Sequence, residues 1–392
     1  MKFFWPFWFA DHLSFPFDPW KDEWPRGREN WRFLWELDWK FLPFDGILIS
    51  RPNIERAKLW KARIEKDGLR RALRLPANIP AFCDCGAWSY IKEVKPPYEP
   101  IETLDFYNKI GVSLACTVDH IVLPGTESDR ERRQEITLRN AERMKQKWDS
   151  DPERYSFELV GVAQGWDNES YYQSTKEILD MGFDYIALGG QARSPSKTTI
   201  SMLARCNELW MREKARVHIF GLARWSLFEA YREFGVTSFD GAYHRRAWIS
   251  GTRNYELGNK AYTAVRIPLS HKSEAYKRTT REQLVFDGLR QLDERKIGVS
   301  AFLNTLYSYD AKRCESFSVE YKRTLLDRPW EKCGCPVCKG IGVHICIFRT
   351  SERNMRRAFH NLWNFYAQFK QKYGDPKPSQ EEAKLKRWFI QE

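Results

Sequence analysis

Four side chains near the carboxyl-terminal end have the types and spacing of a metal site. Cys333-Gly-Cys335-Pro-Val-Cys338 supplies three thiols, and His360, in Ala-Phe-His360-Asn-Leu-Trp, supplies an imidazole. Thiolate and imidazole suit zinc in a tetrahedral shell, at about 2.3 Å for sulfur and 2.0–2.1 Å for nitrogen. With all four corners filled by protein, no position is left for water or substrate, so such a zinc is structural and performs no chemistry. The alternative is a group of buried, unligated cysteines, a common use of that residue.

A second group of reactive residues lies upstream, each member at the end of a short apolar run. Ile79–Cys83 runs into Asp84-Cys-Gly86-Ala-Trp88-Ser, and Val112–Thr117 into Asp119-His120. Phe157–Val162 runs into Gln164-Gly165, Tyr185–Leu188 into Gly189-Gly190, and Val217–Phe220 into Gly221. Thr237–Phe239 runs into Asp240-Gly-Ala-Tyr-His244-Arg245-Arg246. Taken singly, Asp84 and Asp240 could be turn formers at strand ends. Gln164 could merely satisfy backbone groups, and Trp88 and Phe220 could be ordinary core. Cys85 invites a nucleophile reading, but no histidine stands near it in sequence to activate it, and a structural role fits better.

The elements that must position these residues follow from their spacing. Gly46–Ser50 is another run of the same kind, and segments patterned as helices at 127–148, 169–181, 198–213 and 225–234 fall between the runs. Strands alternating with helices over such a length imply an α/β fold with a parallel sheet or barrel. Side chains of chemical interest at one end of every strand favour a (β/α)8 TIM-type barrel, whose active sites gather at the carboxyl ends of the strands. Seven strands are clear. The eighth is expected either in the aromatic amino-terminal stretch or at Tyr262–Ile267. The expected division is a barrel over 1–310, and over 311–392 a zinc-binding module with a basic C-terminal helix packed on the barrel.

Composition narrows the class. The chain has 392 residues, 42% hydrophobic and 15% aromatic, which describes a globular protein with a sizeable core. The start Met1-Lys-Phe-Phe-Trp-Pro-Phe-Trp-Phe is broken by Pro6 and Asp11 and lacks a small-residue cleavage site, so it is not read as a signal peptide. No apolar stretch is long enough for a membrane span. Nine cysteines, an odd number, suit a reducing, cytoplasmic setting better than a disulfide scaffold. The formal charge is +12, and residues 311–392 carry 17 Lys and Arg against 9 Asp and Glu. That excess fits a polyanionic partner such as nucleic acid, or equally a solvated basic surface.

The cysteine–histidine spacing and the order of the strand-end motifs together resemble the tRNA-guanine transglycosylase superfamily over about residues 80 to 365. That family's Asp-Ser-Gly-Gly-aromatic-Gln loop is similar to Asp84-Cys85-Gly86-Ala87-Trp88-Ser89. Its Gly-Ile-Val-Gln-Gly-Gly strand is similar to Gly161-Val-Ala-Gln164-Gly165-Trp166, and its Gly-Phe-Asp-x-Tyr-Ala-Val-Gly-Gly segment to Gly182-Phe-Asp-Tyr-Ile-Ala-Leu-Gly189-Gly190. Its Met-Phe-Asp nucleophile strand is similar to Ser238-Phe239-Asp240. Departures fall at Cys85, Ala87, Ser89 and Trp166, and after Asp240, where Ala242-Tyr-His-Arg-Arg246 replaces the family's Val-Leu-Pro-Thr-Arg. Pocket residues kept beside altered outer loops resemble the family's DNA-modifying, DpdA-type branch.

The resemblance implies a base-exchange enzyme. Guanine would leave C1′ of a nucleotide and a 7-deazaguanine such as 7-cyano-7-deazaguanine (preQ0) would take its place, through a covalent sugar–carboxylate intermediate. It implies Asp240 as nucleophile and Asp84 as the group handling protons at the two bases. Asp119 and Gln164, with backbone groups of Gly189 and Gly190, would read the purine edge. Trp88 and Phe220 would sandwich the heterocycle. Arg245, Arg246, Arg253, Arg193 and Lys197 would meet phosphates, and His120 and His244 phosphate or ribose. The target base must be flipped out or offered single-stranded. DNA is the expected polynucleotide, with tRNA as the alternative and a non-catalytic nucleic-acid-binding barrel as a reading of another class. DNA-modification clusters of the restriction-modification kind further imply a companion ATPase. An ordinary barrel glycosidase would leave the cysteine cluster unexplained.

The cysteine cluster gives the first test. Purified protein is expected to carry about one zinc per chain by elemental analysis, and Cys338→Ser to lose both the metal and soluble yield. A fully folded, metal-free wild type would contradict this.

Overall fold

A computed structural model describes residues 1–25, 27–269 and 279–374. Eight parallel strands close into a barrel. They are β1 (Lys2–Pro6), β2 (Gly46–Ser50), β3 (Ala81–Asp84), β4 (Leu114–Cys116), β5 (Glu158–Ala163), β6 (Tyr185–Leu188), β7 (Arg216–Ile219) and β8 (Ser238–Asp240). Each pairs with its sequence neighbour, and β1 closes the ring between β8 and β2. The α/β, TIM-type barrel expected from the strand–helix alternation is thus the observed fold, and the seven clear runs are its strands β2 to β8.

The eighth strand is the aromatic amino terminus. Phe3, Phe4 and Trp5 are all buried, as they must be in a strand covered on both faces. Pro6 falls at the strand's end, where a missing N–H is tolerated. The rival segment does not join the barrel: Val265–Arg266 pairs in parallel with Ile347–Phe348 in a separate two-stranded sheet.

The barrel interior is filled by an aromatic column. Phe4 and Phe82 meet edge to face with centroids 5.6 Å apart, and the His218 ring lies 5.1 Å from Phe82 and 4.7 Å from Phe220. Gly46 is glycine because a Cβ there would lie 2.5 Å from the Phe4 ring. This column closes the barrel beneath the strands' carboxyl ends, so the loops above it sit on a packed floor.

The helices between strands follow their sequence signals. Thr126 caps the helix Glu127–Ser150 by accepting from Asp129 N, and Asp167 caps Asn168–Asp180 by accepting from Ser170 N at 2.8 Å. The latter cap fixes the turn Gln164-Gly165-Trp166.

The chain groups into two units. One comprises Met1–Ala10 and Phe44–Ala242, and so holds the whole barrel. The other comprises Asp11–Pro43 and Tyr243–Lys372. The boundary expected near 310 falls inside this second unit. It contains an antiparallel hairpin of Tyr255–Leu257 with Lys260–Tyr262, another of His12–Ser14 with Trp31–Phe33, and the helix Ser351–Tyr373 that carries His360. Of the zinc-binding module and basic C-terminal helix expected over 311–392, residues 375–392 lie outside the described residues. Among the described residues, no helix is long and apolar enough to cross a membrane.

Candidate active site and metal centre

The carboxyl ends of the barrel strands surround a cavity of about 200 Å³. Asp84, Asp119, Gln164, Gly189, Gly190, Trp88, Phe220 and Asp240 all line it, joined by Ser50, Cys85, Cys116 and Gly221. Residues scattered over more than 150 positions of sequence are therefore brought to one small space. Three of them are carboxylates, and each has a different set of partners.

Asp240 ends β8. Its Oδ1 accepts from the Gly221 N–H at 2.7 Å and faces His218 Nε2 at 3.3 Å. Asp84 ends β3 and accepts from the Gly86 N–H at 2.8 Å. Burial, reinforced by the charges of Asp240 and Asp119 and opposed by hydrogen bonds from Ser50 and Gly86, pushes its carboxyl up to about 7. Asp84 can therefore exchange a proton near neutral pH.

Asp119 is buried and held at both oxygens. The Cys85 thiol donates to Oδ1 at 2.9 Å, and Gln164 Nε2 donates to Oδ2 at 2.5 Å. Burial raises the Asp119 carboxyl despite these hydrogen bonds. Cys85 also takes the Tyr90 hydroxyl at 3.0 Å, and burial pushes its own thiol up, away from the thiolate a nucleophile needs. Its structural role is to hold Asp119.

Gln164 leaves its Oε1 buried without a partner among the described residues, an acceptor still open to a donor. Its amide lies close against Gly189, where a Cβ would fall 2.1 Å from Nε2. The Gly189 N–H is committed to Ala163 O at 3.0 Å, and its carbonyl takes the Tyr171 hydroxyl at 2.7 Å. What Gly189 contributes is room for Gln164, more than a free backbone group. Phe220 packs on the aromatic column below the cavity, whereas Trp88 is 46% exposed at its rim with the Arg193 guanidinium 4.7 Å from its ring centroid.

The remaining cations divide. Lys197 and Arg253 are exposed. Arg245 and Arg246 are tied to carboxylates of their own unit, Arg245 to Asp11 and Arg246 to Glu256, each at 3.0 Å. Both histidines expected to reach phosphate or ribose are fully buried, and His120 Nε2 meets Arg133 at 2.9 Å. Burial and that arginine push His120 down to about 4, so it stays neutral.

His218, Ser238 and Tyr185 were not singled out by the sequence. The signal was present in the pairing of β7 with β8. Side chains at i and i+2 share a strand face, so His218 joins Phe220 and Ser238 joins Asp240. The register sets Ser238 opposite His218.

The second unit holds the cysteine cluster. Cys333, Cys335, Cys338 and His360 are all buried, with ligand atoms within 4.8 Å of one another. His360 Nδ1 stands 3.4, 3.5 and 3.3 Å from the sulfurs of Cys333, Cys335 and Cys338. A tetrahedral zinc with ordinary bond lengths sets a sulfur–nitrogen edge of about 3.6 Å, so the four groups fit such an ion. His360 Nε2 meets Glu256 O at 2.5 Å, which turns Nδ1 toward the thiols. Tyr255 stacks on the imidazole with centroids 4.1 Å apart. These four residues could hold a metal, which would cross-link the cysteine loop to the helix Ser351–Tyr373.

A parallel barrel with three carboxylates and an unsatisfied amide at its carboxyl ends, in a chain that also carries a Cys3His cluster, has the parts of a glycosyl-transferring enzyme. The chain belongs to the tRNA-guanine transglycosylase family: the family model described as queuine tRNA-ribosyltransferase matches residues 87–371. It is thus a transglycosylase, a pentosyltransferase. It is similar to a protein of Salmonella montevideo named DNA-guanine transglycosylase, 30% identical over 361 residues, covering 83% of this chain and 86% of that one.

The close approach of Gln164 to Gly189 gives a test. Gly189→Ala is expected to push the Gln164 amide off Asp119 and to weaken guanine binding by about 1–3 kcal/mol, as an unmet buried polar partner does. Calorimetric titration with the free base checks it, and unchanged affinity in a folded variant would mean that the base does not sit there.

Proposed function

We propose that this transglycosylase exchanges guanine in DNA for a 7-deazaguanine base such as preQ0, through a covalent Asp240–deoxyribose intermediate. The observation that carries the chemistry is the pairing of one anchored carboxylate with one that is easily protonated in a single cavity. Asp240 is fixed at Oδ1 by the Gly221 amide, and burial brings Asp84 to about 7.

The steps balance as a double displacement. Asp240 forms a bond from a carboxylate oxygen to C1′ as the C1′–N9 bond breaks and its electron pair leaves with guanine. Asp84, protonated, supplies a proton to the departing base. The incoming 7-deazaguanine then gives its N9 proton to Asp84, now ionised, and attacks C1′, restoring the Asp240 carboxylate. Neutral pH keeps both forms of Asp84 available. Asp119 and the free Oε1 of Gln164 face the donor-rich edge of the purine, and Phe220 and Trp88 offer it stacking surfaces. Trp88 can serve so once Arg193 shifts from its ring to a phosphate.

DNA as the polynucleotide is supported by the name of the Salmonella relative and its coverage of most of both chains. The family model's own description favours tRNA as the second reading. Exposed Arg193, Lys197 and Arg253 are the candidates for phosphate contact, and Arg245 and Arg246 join them if their carboxylate partners release them. Zinc is the ion proposed for the Cys3His cluster, with a cytoplasmic setting to keep its thiols reduced and a companion ATPase to open the duplex.

Wild type mixed with guanine-containing DNA and then denatured is expected to give a covalent protein–DNA adduct on a gel, and Asp240→Asn none, with folding intact. An adduct that persists in Asp240→Asn would move the nucleophile elsewhere, Asp84 first. Because guanine departure needs protonated Asp84, adduct formation is expected to fall as pH rises through about 7. Asp84→Asn should remove that limb and cost about 10²–10⁴-fold in rate.

A further inference from the structure

A buried chain of polar groups runs beneath Asp240, across three adjacent strands. The Tyr185 hydroxyl on β6 lies 2.6 Å from Ser238 Oγ on β8. Ser238 Oγ lies 2.7 Å from His218 Nδ1 on β7, and His218 Nε2 lies 3.3 Å from Asp240 Oδ1. His218 is wholly enclosed and Ser238 is 1% exposed, so water does not complete this network from outside.

Only one orientation of its protons satisfies every member. If Tyr185 donates to Ser238, the serine proton goes to His218 Nδ1, Nδ1 is an acceptor, and Nε2 must carry the ring proton and point it at Asp240. The reverse orientation needs His218 Nδ1–H to donate to Ser238 and Ser238 to donate to Tyr185. That leaves the buried Tyr185 proton with no acceptor and sets the bare Nε2 lone pair against a carboxylate oxygen. Each fault is costly at the enclosed His218 and Ser238.

We infer that the Tyr185–Ser238–His218 chain fixes the Nε2–H tautomer of His218, which with the Gly221 amide holds Asp240 Oδ1 and reserves Oδ2 for attack on C1′. His218, Ser238 and Tyr185 are thus positioning residues, acting through Asp240. Oδ2 takes no hydrogen bond among the described residues, while two donors converge on Oδ1. Without this brace the carboxylate could rotate about its Cβ–Cγ bond and present either oxygen, wasting orientation that the displacement depends on. The two donors also remain in place when Oδ1 becomes the carbonyl oxygen of the sugar ester, so no reorganisation accompanies attack. This inference rests on the reading of Asp240 as nucleophile.

Two measurements test it. The first uses wild-type protein with 15N-labelled histidine and a long-range 15N–1H correlation spectrum, with the His218 signal assigned by its loss in His218→Gln. An Nε2–H tautomer is expected; an Nδ1–H or doubly protonated ring would overturn the inference. The second follows the rate of adduct formation on a guanine-containing DNA oligonucleotide. Ser238→Ala removes the group that selects the tautomer. It should slow adduct formation roughly ten-fold, the scale of one good hydrogen bond, at an unchanged KM for the DNA. Tyr185→Phe leaves the serine proton free to turn and should slow it less. A loss in KM alone, or a full rate in folded Ser238→Ala, would show that the chain only packs the barrel. Failure of the wild type to form any adduct would instead overturn the assignment of Asp240, and the spectrum would still report the tautomer.

Discussion

Three carboxylates facing one cavity of about 200 Å³ are a charge problem before they are a catalyst. Ionised together at close quarters and out of bulk water, they would repel one another and pay desolvation at the same time. The fold resolves this by giving each a different neighbourhood. Asp240 takes a backbone amide and an imidazole, and Asp119 takes a thiol and a side-chain amide. Asp84 takes the Gly86 amide and a hydrogen bond from Ser50, yet burial and the charges of Asp240 and Asp119 still push its carboxyl up to about 7. The proposed division of labour, between an attacking group and a proton carrier, rests on that inequality of surroundings.

The barrel makes the inequality possible. Its closed, parallel ladder brings the ends of β3, β4, β5 and β8 to one rim, and the aromatic column of Phe4, Phe82 and Phe220 keeps the space beneath them packed. Into that column one polar ring is inserted, His218, at the point where it can reach Asp240. The second unit has ties of its own. The hydrogen bond from His360 to Glu256 O ties the candidate metal centre to the strand Tyr255–Leu257. Three residues before His360 on the helix Ser351–Tyr373, Arg357 is buried and donates to Ala247 O and Ile345 O.

The sequence carried much of this because strand ends and metal ligands are local signals. Asp84, Asp119, Gln164 and Asp240 each follow an apolar run, and all line the cavity. The cysteine spacing, with the histidine downstream of it, gathered four residues that prove to be clustered and buried. What stayed hidden depends on register and packing. The amino-terminal strand could not be separated from Tyr262–Ile267, because short aromatic and β-branched runs look alike until pairing is known. His218 is unremarkable in sequence and becomes meaningful only when Ser238 lies opposite it. The ion pairs of Arg245 with Asp11 and of Arg246 with Glu256, and the burial of His120 and His244, likewise join residues or enclose loops in ways that no local pattern announces.

The proposed reaction is defined by the polymer that carries the exchanged base. The most direct measurement is mass analysis of nucleosides released separately from genomic DNA and bulk tRNA of a host, with and without this gene. A 7-deazaguanine deoxynucleoside in DNA that appears only with the gene, with tRNA unchanged, is the predicted result. The modified nucleoside in tRNA with unmodified DNA would contradict it.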